Sequence, residues 1–519
     1  MAAADQAVHA EERVHKGLKS GALGTISTTV IATASVAPAY SLAATLGFIA
    51  VAVAFKSPAI AWAAFIPMIF ASIGYNEMNK ADPDCGTTFT WGTRALSPGW
   101  GWAGGWGIVA ADILIMASLA QVAGQYLFLL FGAHGIGSDP ASGWVLLVGV
   151  LWIVAMTYIC YRGIELSANF QKALLSVEIV MLLVLSVTIL VKVQTGHGAV
   201  TSLHPQMSWL NPLSGLPFHS FASGLILMVF IYWGWDTALS VNEETKEPGK
   251  TAGRAAIYSV FILLVTYVVV IFAAQAWAGI GSKGIGLTNS NNVGDVLSVL
   301  GSSVFGTAWW GTTLSKLLVL MVLSSAAAST QTTILPTART TLSMGVYKAM
   351  PRAFAKVHPR YLTPTVSTLV MGAISVVLYA AMNYISGGNV IPDAVTSCGV
   401  FIAFYYGLTA LACVWYYRKT LTSSARNLVM RGIVPAAGWL ILWVLGGFSM
   451  WQDWDVNTGN SFTTFTIPGL HWQVGGVFVI VFLSSLVGLI LWAYLRITQP
   501  DYFKRRTLSR STPTLVPDR

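Results

Sequence analysis

Charged residues are scarce in this sequence. Only 9% of its 519 residues are Asp, Glu, Lys or Arg, and 55% are hydrophobic, whereas a soluble globular protein carries roughly 25% charged residues. So few charges cannot cover the surface of a soluble fold of this length. The composition largely excludes a soluble enzyme, a nucleic-acid-binding protein and a disordered protein, and it predicts a chain that crosses a membrane several times.

Cysteines and several enzyme motifs are also scarce or missing. The four cysteines are Cys85, Cys160, Cys398 and Cys413, and their positions imply no disulfide framework. The sequence lacks the Gly-x-x-x-x-Gly-Lys-Ser/Thr loop of an ATP-driven pump and the His-Glu-x-x-His motif of a metalloprotease. No Ser/His/Asp cluster gathers around an intramembrane Ser or Cys. We therefore predict no enzymatic activity and no cofactor.

Long uncharged runs fill most of the chain. A bilayer core requires about 20 apolar residues per helix, and joining runs that are split by a single charge gives twelve spans. We place these spans at residues 22–52, 58–78, 101–131, 142–161, 169–192, 219–241, 254–279, 308–340, 364–384, 390–417, 431–450 and 472–496.

The positions of Lys and Arg predict the orientation. Twelve spans with both termini in the cytoplasm put nearly all of the 29 basic residues on the cytoplasmic side; the exceptions are Lys56, Lys192 and Lys283 outside and Lys316 within a span. This asymmetry is typical of multi-pass proteins of a cell membrane. It also predicts anionic lipid headgroups, rather than nucleic acid, as the partners of the positive charge. Residues 1–20 are predicted to be a cytoplasmic tail and not a cleaved signal.

Two spans carry interruptions in corresponding places. The first contains Pro38 in a stretch of small residues (32–40), and proline removes an amide donor and disturbs the preceding turn. The sixth contains Gly234 between two Trp and followed by Asp236. Each interruption alone has a structural explanation, a proline kink or a glycine packing contact. Together they indicate an inverted-repeat transporter whose site lies where the repeats meet.

The sequence resembles the amino acid–polyamine–organocation (APC) family of permeases. The resemblance rests on Tyr-Trp-Gly-Trp-Asp-Thr-Ala-Leu-Ser-Val-Asn-Glu-Glu-Thr-Lys-Glu-Pro (232–248), on residues 82–98 with Gly104-Gly105-Trp106, and on residues 329–364. The first span departs from the family by carrying Ala-Ser-Val-Ala-Pro-Ala-Tyr where many members have Gly-x-Gly.

The resemblance implies an all-α membrane protein with a LeuT-like, five-plus-five inverted repeat in which helices 1 and 6 are broken. The repeats would be residues 21–193 and 219–418, separated by an extracellular loop (194–218). Helices 11 and 12 (419–498) and a basic cytoplasmic tail (499–519) would follow. The resemblance also places a substrate carboxylate near Ser35, Val36, Ala37, Pro38 and Ala39, and the amine and side chain near Tyr232, Trp233, Gly234, Trp235 and Asp236.

Four charged side chains lie well inside predicted spans: Asp112, Glu178, Asp236 and Lys316. Each costs roughly 2.5–3.5 kcal/mol at a helix centre on insertion scales, so each is a functional candidate. We expect Glu178 to carry a proton, against a structural role at the membrane surface or paired with a Lys. Asp236 is either a proton-linked gate residue or a cap for the following half-helix.

The other two intramembrane charges have more open roles. Asp112 contacts a cationic substrate or pairs with a polar neighbour. For Lys316 we favour an extended side chain that reaches the membrane surface over a pair with an acid. The hydroxyl-rich eighth span offers Ser329 and Thr330 as candidate sodium ligands, because in related folds such hydroxyls bind sodium with first-helix carbonyls. Close packing of small residues explains the same composition, so we predict no metal.

These expectations define the predicted function. We expect a permease that imports an amino acid by proton symport and alternating access, driven by an ion gradient. Alternatives within transport are a polyamine or other organic-cation carrier, for which Asp112, Asp236 and a surface of Trp233 and Trp235 suit a cation, and an amino acid exchanger. A channel or a non-transporting solute sensor is the alternative from another class.

Overall fold

The computed structural model describes residues 16, 18, 21–162, 168–213, 215–388, 390–457, 461–467, 469 and 472–513. This part of the chain is built from α-helices and one antiparallel sheet of two short strands, β1 (Thr464–Thr466) and β2 (Gln473–Gly475), with Phe465 opposite Val474. The helices are α1 Thr25–Val36, α2 Pro38–Val53, α3 Ser57–Ala81, α4 Thr88–Ala95, α5 Pro98–Leu130, α6 His134–Gly137, α7 Gly143–Tyr161, α8 Ala168–Gln194, α9 Phe218–Ile231, α10 Thr237–Ser240, α11 Thr251–Ala278, α12 Val296–Phe305, α13 Trp309–Val346, α14 Thr365–Ser386, α15 Val390–Tyr417, α16 Ala425–Asn427, α17 Val434–Trp454, α18 Gly476–Thr498 and α19 Pro500–Phe503. Four short 3-10 helices (Ala54–Lys56, Met207–Leu210, Arg352–Ala355, Leu421–Ser423), a further 3-10 turn (Asn242–Glu244) and a π-helical turn (Leu428–Ile433) complete the set.

The long helices coincide with the spans read from hydropathy. Within the described ranges, ten segments are long and apolar enough to cross a membrane. The first, Thr25–Ala81, contains α1, α2 and α3, and α9 and α12 are shorter apolar helices outside this set of ten. The count of twelve crossings stays a prediction. The π-helical turn lies directly before α17, so that helical structure begins several residues ahead of the predicted span.

The helices separate into an inner and an outer group by burial. The apolar windows of α5, α13 and α15 are largely buried, whereas those of α7, α17 and α18 are largely exposed. The exposed side chains of α18 include Leu486, Leu489 and Ile490. Apolar side chains on an outer face suit contact with lipid tails. Of the inner group, α13 packs against α1 and α2, and α15 packs against α9.

Both tails reach the same end of the bundle. Lys16 Nζ lies 2.7 Å from Asp84 Oδ1, in the turn before α4. Near the other terminus, Ser509 O accepts a hydrogen bond from Arg94 at 3.0 Å. We call this end of the molecule, which also carries Lys80 and Lys250, the basic end. Tails at one end agree with an even number of crossings, and their cytoplasmic location stays a prediction.

Candidate functional site

The first interruption lies where the sequence placed it. Helix α1 ends at Val36 and α2 begins at Pro38. Between them Ala37 is left-handed, with φ 51° and ψ 68°. Proline is tolerated at the first position of a helix, where its missing N–H has no intrahelical partner. Pro38 therefore starts a new helix instead of continuing α1.

The second interruption separates α9 from α10. Helix α9 ends at Ile231 and α10 begins at Thr237, and Gly234 between them has φ +118°. A Cβ on Gly234 would lie 3.0 Å from Ser35 C and 3.0 Å from Val36 N. Ser35 Oγ and Thr237 Oγ1 are 2.8 Å apart. The two interruptions therefore touch, although about 200 residues separate them, and glycine is needed for both the backbone angle and the close approach.

Most backbone amides of the first interruption already donate hydrogen bonds to acceptors within the protein. Ala37 N donates to Ala34 O at 3.1 Å and Ser41 N donates to Ala37 O at 2.9 Å. Ala39 N donates to Glu178 Oε1 at 2.7 Å, and Tyr40 N donates to Ser325 Oγ at 3.3 Å. Pro38 has no N–H. A substrate carboxylate reaching this backbone must therefore compete with protein acceptors.

Glu178 joins three helices at the first interruption. Its side chain lies on α8, 4% exposed, and Oε1 accepts hydrogen bonds from Ala39 N of α2 and from Ser325 Oγ of α13, at 2.7 and 2.8 Å. Among the described residues it forms no ion pair. The carboxylate sits in the first turn of α2, where the helix dipole favours negative charge. The predicted proton carrier is thus in direct contact with the interrupted helix.

Asp236 is held by two tyrosines of α15. Tyr406 donates to Asp236 Oδ1 at 2.8 Å and Tyr405 donates to Oδ2 at 3.3 Å. Asp236 takes the N-cap position of α10, yet its side chain makes no capping hydrogen bond there. The capping alternative therefore does not describe its contacts. Tyr405 also accepts a hydrogen bond from the Trp233 indole, and Tyr406 from the Gly234 amide at 3.4 Å.

Tyr405 and Tyr406 were not among the site residues predicted from the sequence. The only local signal was a pair of adjacent tyrosines in the middle of an apolar span. Their hydroxyls would be costly to bury without partners.

The aromatic residues of the second interruption differ in their contacts. Tyr232 donates to Ala61 O at 3.0 Å, which gives it a structural role between α9 and α3. The Trp235 ring lies 4.6 Å from Tyr406 and 5.1 Å from Tyr75. Its indole N–H is buried and has no acceptor among the described residues. A buried donor without a partner is a candidate contact for a bound solute.

Asp112 lies on α5 and is fully buried. Its Oδ2 accepts a hydrogen bond from Thr337 of α13, and within the described ranges Oδ1 has no partner. Thr337 is thus a polar neighbour with which Asp112 pairs, as one of the two alternatives predicted. The second oxygen is a candidate acceptor for a cationic ligand.

The remaining predicted residues differ in whether they contact the first interruption. Ser329 Oγ donates to Ser35 O at 3.1 Å, so it reaches the first interruption. Thr330 Oγ1 instead donates to Ala326 O at 2.7 Å within its own helix and accepts from Trp152 at 3.3 Å. Lys316 is exposed and forms no ion pair among the described residues. This placement matches the interpretation of Lys316 as a side chain that extends outward.

A second polar cluster lies at the basic end, and the sequence did not predict it. We call Lys16, Asp84, Cys85 and Glu243 the gate cluster. Lys16 Nζ is 2.7 Å from Asp84 Oδ1 and 2.7 Å from Glu243 Oε1, and all four residues are buried. Arg339 also pairs with Glu244, next to the cluster, at 2.5 Å. The cluster ties the N-terminal tail to the turn before α4 and to the segment after α10.

Within the gate cluster the charges of Lys16 and Asp84 stabilise each other, whereas burial raises the pKa of Glu243. Burial alone raises the pKa of Asp84, but the Lys16 ammonium and several hydrogen bonds outweigh burial and lower it. Burial likewise works to lower the pKa of Lys16, and the neighbouring Asp84, Cys85 and Glu243 raise it well above its usual value. Lys16 therefore stays protonated and Asp84 ionised at neutral pH.

Comparison with known proteins assigns the chain to a family. Residues 23–482 match the family model described as amino acid permease. An uncharacterized transporter of Mycobacterium tuberculosis is 28% identical over 305 residues, which are 57% of this chain and 60% of that protein. The matched part thus spans about three fifths of this relative.

Two further relatives have named substrates. The low-affinity putrescine importer PlaP of Escherichia coli is 22% identical over 358 residues, 69% of this chain and 73% of that protein. The branched-chain amino acid permease BcaP of Lactococcus lactis is 22% identical over 377 residues, 68% and 76% of the two chains.

The fold is shared with a solved transporter structure. MhsT, crystallised in complex with L-phenylalanine, superposes with a TM-score of 0.58 at 16% identity, over 82% of this chain and 99% of that one. This likeness confirms the predicted LeuT-like fold of a mostly helical membrane protein, in which the two interruptions lie at Ala37 and Gly234.

Proposed function

The chain belongs to the amino acid permease family, and we propose that it is a secondary active transporter that imports an amino acid together with a proton. The observation that carries the proposal is the hydrogen bond from Ala39 N to Glu178 Oε1, 2.7 Å long. It joins a buried acid to the backbone that the family resemblance assigns to a substrate carboxylate.

Glu178 and a substrate carboxylate compete for the same amide. An ionised Glu178 holds the Ala39 N–H and repels a second negative charge in a site of low dielectric. Protonation of Glu178 removes that repulsion and weakens its hold on the amide. The proton and the carboxylate-bearing substrate therefore favour each other's binding, which is the thermodynamic requirement of symport.

The amine of the substrate has acidic and aromatic partners nearby. Asp236 adjoins the second interruption, and Asp112 has one oxygen without a protein partner among the described residues. Trp233 and Trp235 supply ring surfaces for an apolar or cationic side chain. An amino acid placed between the two interruptions thus finds a carboxylate site on one side and an amine site on the other.

The contact between the two interruptions supports alternating access. Ser35, Gly234 and Thr237 lie together, so a ligand between α2 and α10 acts on both interrupted spans. The gate cluster closes the basic end, and access from that side requires Lys16 to separate from Asp84 or Glu243. We propose that this end faces the cytoplasm of a cell whose plasma or inner membrane holds the protein.

A second candidate is import or exchange of an amine without a carboxylate, such as a polyamine. The committed amides at Ala37, Ala39 and Tyr40 and the free oxygen of Asp112 favour it. The likeness to a putrescine importer adds support. Coupling through Glu178 separates the candidates, because a diamine does not compete for the Ala39 amide.

The test is uptake by the purified protein in proteoliposomes. We expect saturable uptake of a radiolabelled amino acid that an inward pH gradient accelerates, in competition with a panel of amino acids and polyamines. Selective competition by polyamines would favour the second candidate, and uptake that does not saturate would indicate a channel. Ligand binding without flux would indicate a sensor.

Glu178→Gln tests the coupling. We expect uptake to become independent of the pH gradient while counterflow exchange continues. The matched control is Glu247→Gln, because Glu247 is exposed in the loop before α11 and, within the described part of the chain, its ion pair is with Lys250. Unchanged dependence of Glu178→Gln on the proton gradient would refute the role of Glu178.

A further inference from the structure

A polar pocket opens at the basic end, away from both interruptions. It lies between the end of α3 and the start of α11 and has a volume of about 390 Å³. Its lining residues are Asn76, Lys80, Gly249, Lys250 and Arg254. Three of these five carry a positive charge and none carries a negative charge.

The positive charge of the pocket is only partly neutralised. Lys80 pairs with Glu77 at 2.6 Å, but Glu77 is shared with Arg426 and Arg431. Lys250 pairs with Glu247 at 3.2 Å, and both side chains are exposed. In the described part of the chain Arg254 forms no ion pair. A net positive charge therefore remains for an anion.

Asn76 adds an independent sign of a ligand. It is only 7% exposed, and its Oδ1 is buried without a hydrogen-bond donor from the described residues. The atom lies against the first turn of α11, where a Cβ on Gly253 would come within 2.2 Å of it. A buried acceptor without a partner is rare in a folded protein. A hydroxyl group on the ligand satisfies it.

The pocket continues into the outer, apolar face of α11. Arg254, Tyr258, Phe261 and Val265 follow each other at spacings of four, three and four residues and so share one helix face. Tyr258, Phe261 and Val265 are 51%, 49% and 61% exposed. Exposed apolar side chains of a spanning helix meet lipid tails. Arg254 stands at the end of this face, at the depth of the headgroups.

We propose that the pocket binds the headgroup of an anionic phospholipid that carries hydroxyl groups, with phosphatidylglycerol as the matching chemistry. The phosphodiester lies among Lys80, Lys250 and Arg254, and a headgroup hydroxyl donates to Asn76. The acyl chains follow the exposed face of α11. Free phosphate is also an anion, but it has no acyl chains that could contact the apolar face of α11.

The bound lipid also stabilises the closed basic end. Asn79, one turn beyond Asn76, donates to Pro248 O at 2.8 Å and accepts from Asn242 at 2.8 Å. Asn242 directly precedes Glu243 of the gate cluster. A headgroup held between Lys80 and Lys250 therefore keeps α3 against the segment that carries the gate.

Lipid binding to the full chain tests the proposal. We expect native mass spectrometry of the detergent-solubilised protein to show a retained phosphatidylglycerol adduct and no comparable phosphatidylcholine adduct. The double variant Lys250→Gln/Arg254→Gln should bind phosphatidylglycerol about 30-fold more weakly, because each basic residue near an anionic headgroup contributes roughly a fivefold effect. The matched control is Arg352→Gln/Lys356→Gln, which neutralises two exposed charges elsewhere at the basic end.

The remaining arms identify the ligand. Asn76→Leu removes the acceptor and keeps all three charges, so it should weaken phosphatidylglycerol more than phosphatidic acid, which has no headgroup hydroxyl beyond the phosphate. Inorganic phosphate should not displace the lipid. Equal retention of phosphatidylcholine, equal loss in the control variant or displacement by inorganic phosphate would each overturn the proposal. Size-exclusion profiles show which variants are folded. If the double variant does not fold, the single variant Arg254→Gln, at an exposed position, takes its place.

Discussion

The ammonium of Lys16 can be removed with little loss of side-chain volume by the substitution Lys16→Met. Lys16 Nζ lies 2.7 Å from carboxylate oxygens of both Asp84 and Glu243. In the variant these two buried acids face each other without a cation. We expect the closed basic end to be destabilised and the central site to become accessible from that side.

The size of the effect follows from the contacts that remain. Removing one partner of a buried ion pair costs roughly 3–5 kcal/mol. Asp84 keeps hydrogen bonds from Gly86 N, Ser343 Oγ and Tyr347 OH, at 2.8, 3.1 and 2.8 Å. Glu243 keeps one from Cys85 N at 2.9 Å. The lower value, about 3 kcal/mol, is therefore appropriate, and it shifts the ratio of closed to open molecules by about 100-fold.

Cys85 reports the opening directly. Its thiol is fully buried in the gate cluster, and burial raises the pKa of Cys85 well above its usual value while Lys16 opposes that rise. Loss of Lys16 cannot make the thiol more acidic, so faster alkylation reports exposure. The assay is alkylation by N-ethylmaleimide followed by peptide mass spectrometry.

The assay has an internal and a matched control. Cys413 is buried in α15, away from the two interruptions, and its alkylation rate should not change. The control variant is Lys356→Met, which removes an exposed charge at the same end. Alkylation of Cys85 in Lys16→Met within twofold of the unmodified protein would refute the role of the gate cluster.

Three further predictions concern the contacts of the interrupted spans and the packing of α3. Gly234→Ala should abolish uptake in a folded protein, because the new Cβ would lie 3.0 Å from the Ser35 backbone at φ +118°; normal uptake would contradict the close contact. Tyr406→Phe removes a donor to Asp236 and should raise the substrate KM by about fivefold to tenfold, whereas an unchanged KM would remove Tyr406 from the site. Glu77→Gln weakens pairs with Lys80, Arg426 and Arg431 and should lower stability by roughly 1–3 kcal/mol, measured as a lower unfolding temperature with normal KM; an unchanged unfolding temperature would count against these pairs.

Local chemistry explains why the sequence predicted the spans and the interruptions. The length of an apolar run is matched to the bilayer, so the predicted span 142–161 agrees with Gly143–Tyr161 in the structure. Proline lacks an amide donor and disturbs the preceding turn, and at Pro38 a new helix begins, whereas Pro67 and Pro336 lie inside the continuous helices α3 and α13. Such features depend on a few neighbouring residues, so the sequence alone indicates them.

The hydrogen-bond partners of the buried acids could not be predicted from the sequence. Glu178 meets Ala39 and Ser325, and Asp236 meets Tyr405 and Tyr406. The sequence marked both acids because an ionisable group in a membrane is costly. It held no information on which of many polar side chains in other spans would lie opposite them.

Lys16 shows the same limit more strongly. In the sequence it is one of several basic residues in a polar tail, and topology rules treat these residues as equivalent. The tertiary structure buries this one between two acids, because the turn before α4 and the segment after α10 meet there. Hydropathy and backbone chemistry are local, so the sequence predicted a helical membrane protein with two interrupted spans. The side chains that form the site and the gate cluster are known from the tertiary structure, because helix packing brings together residues that are far apart in the chain.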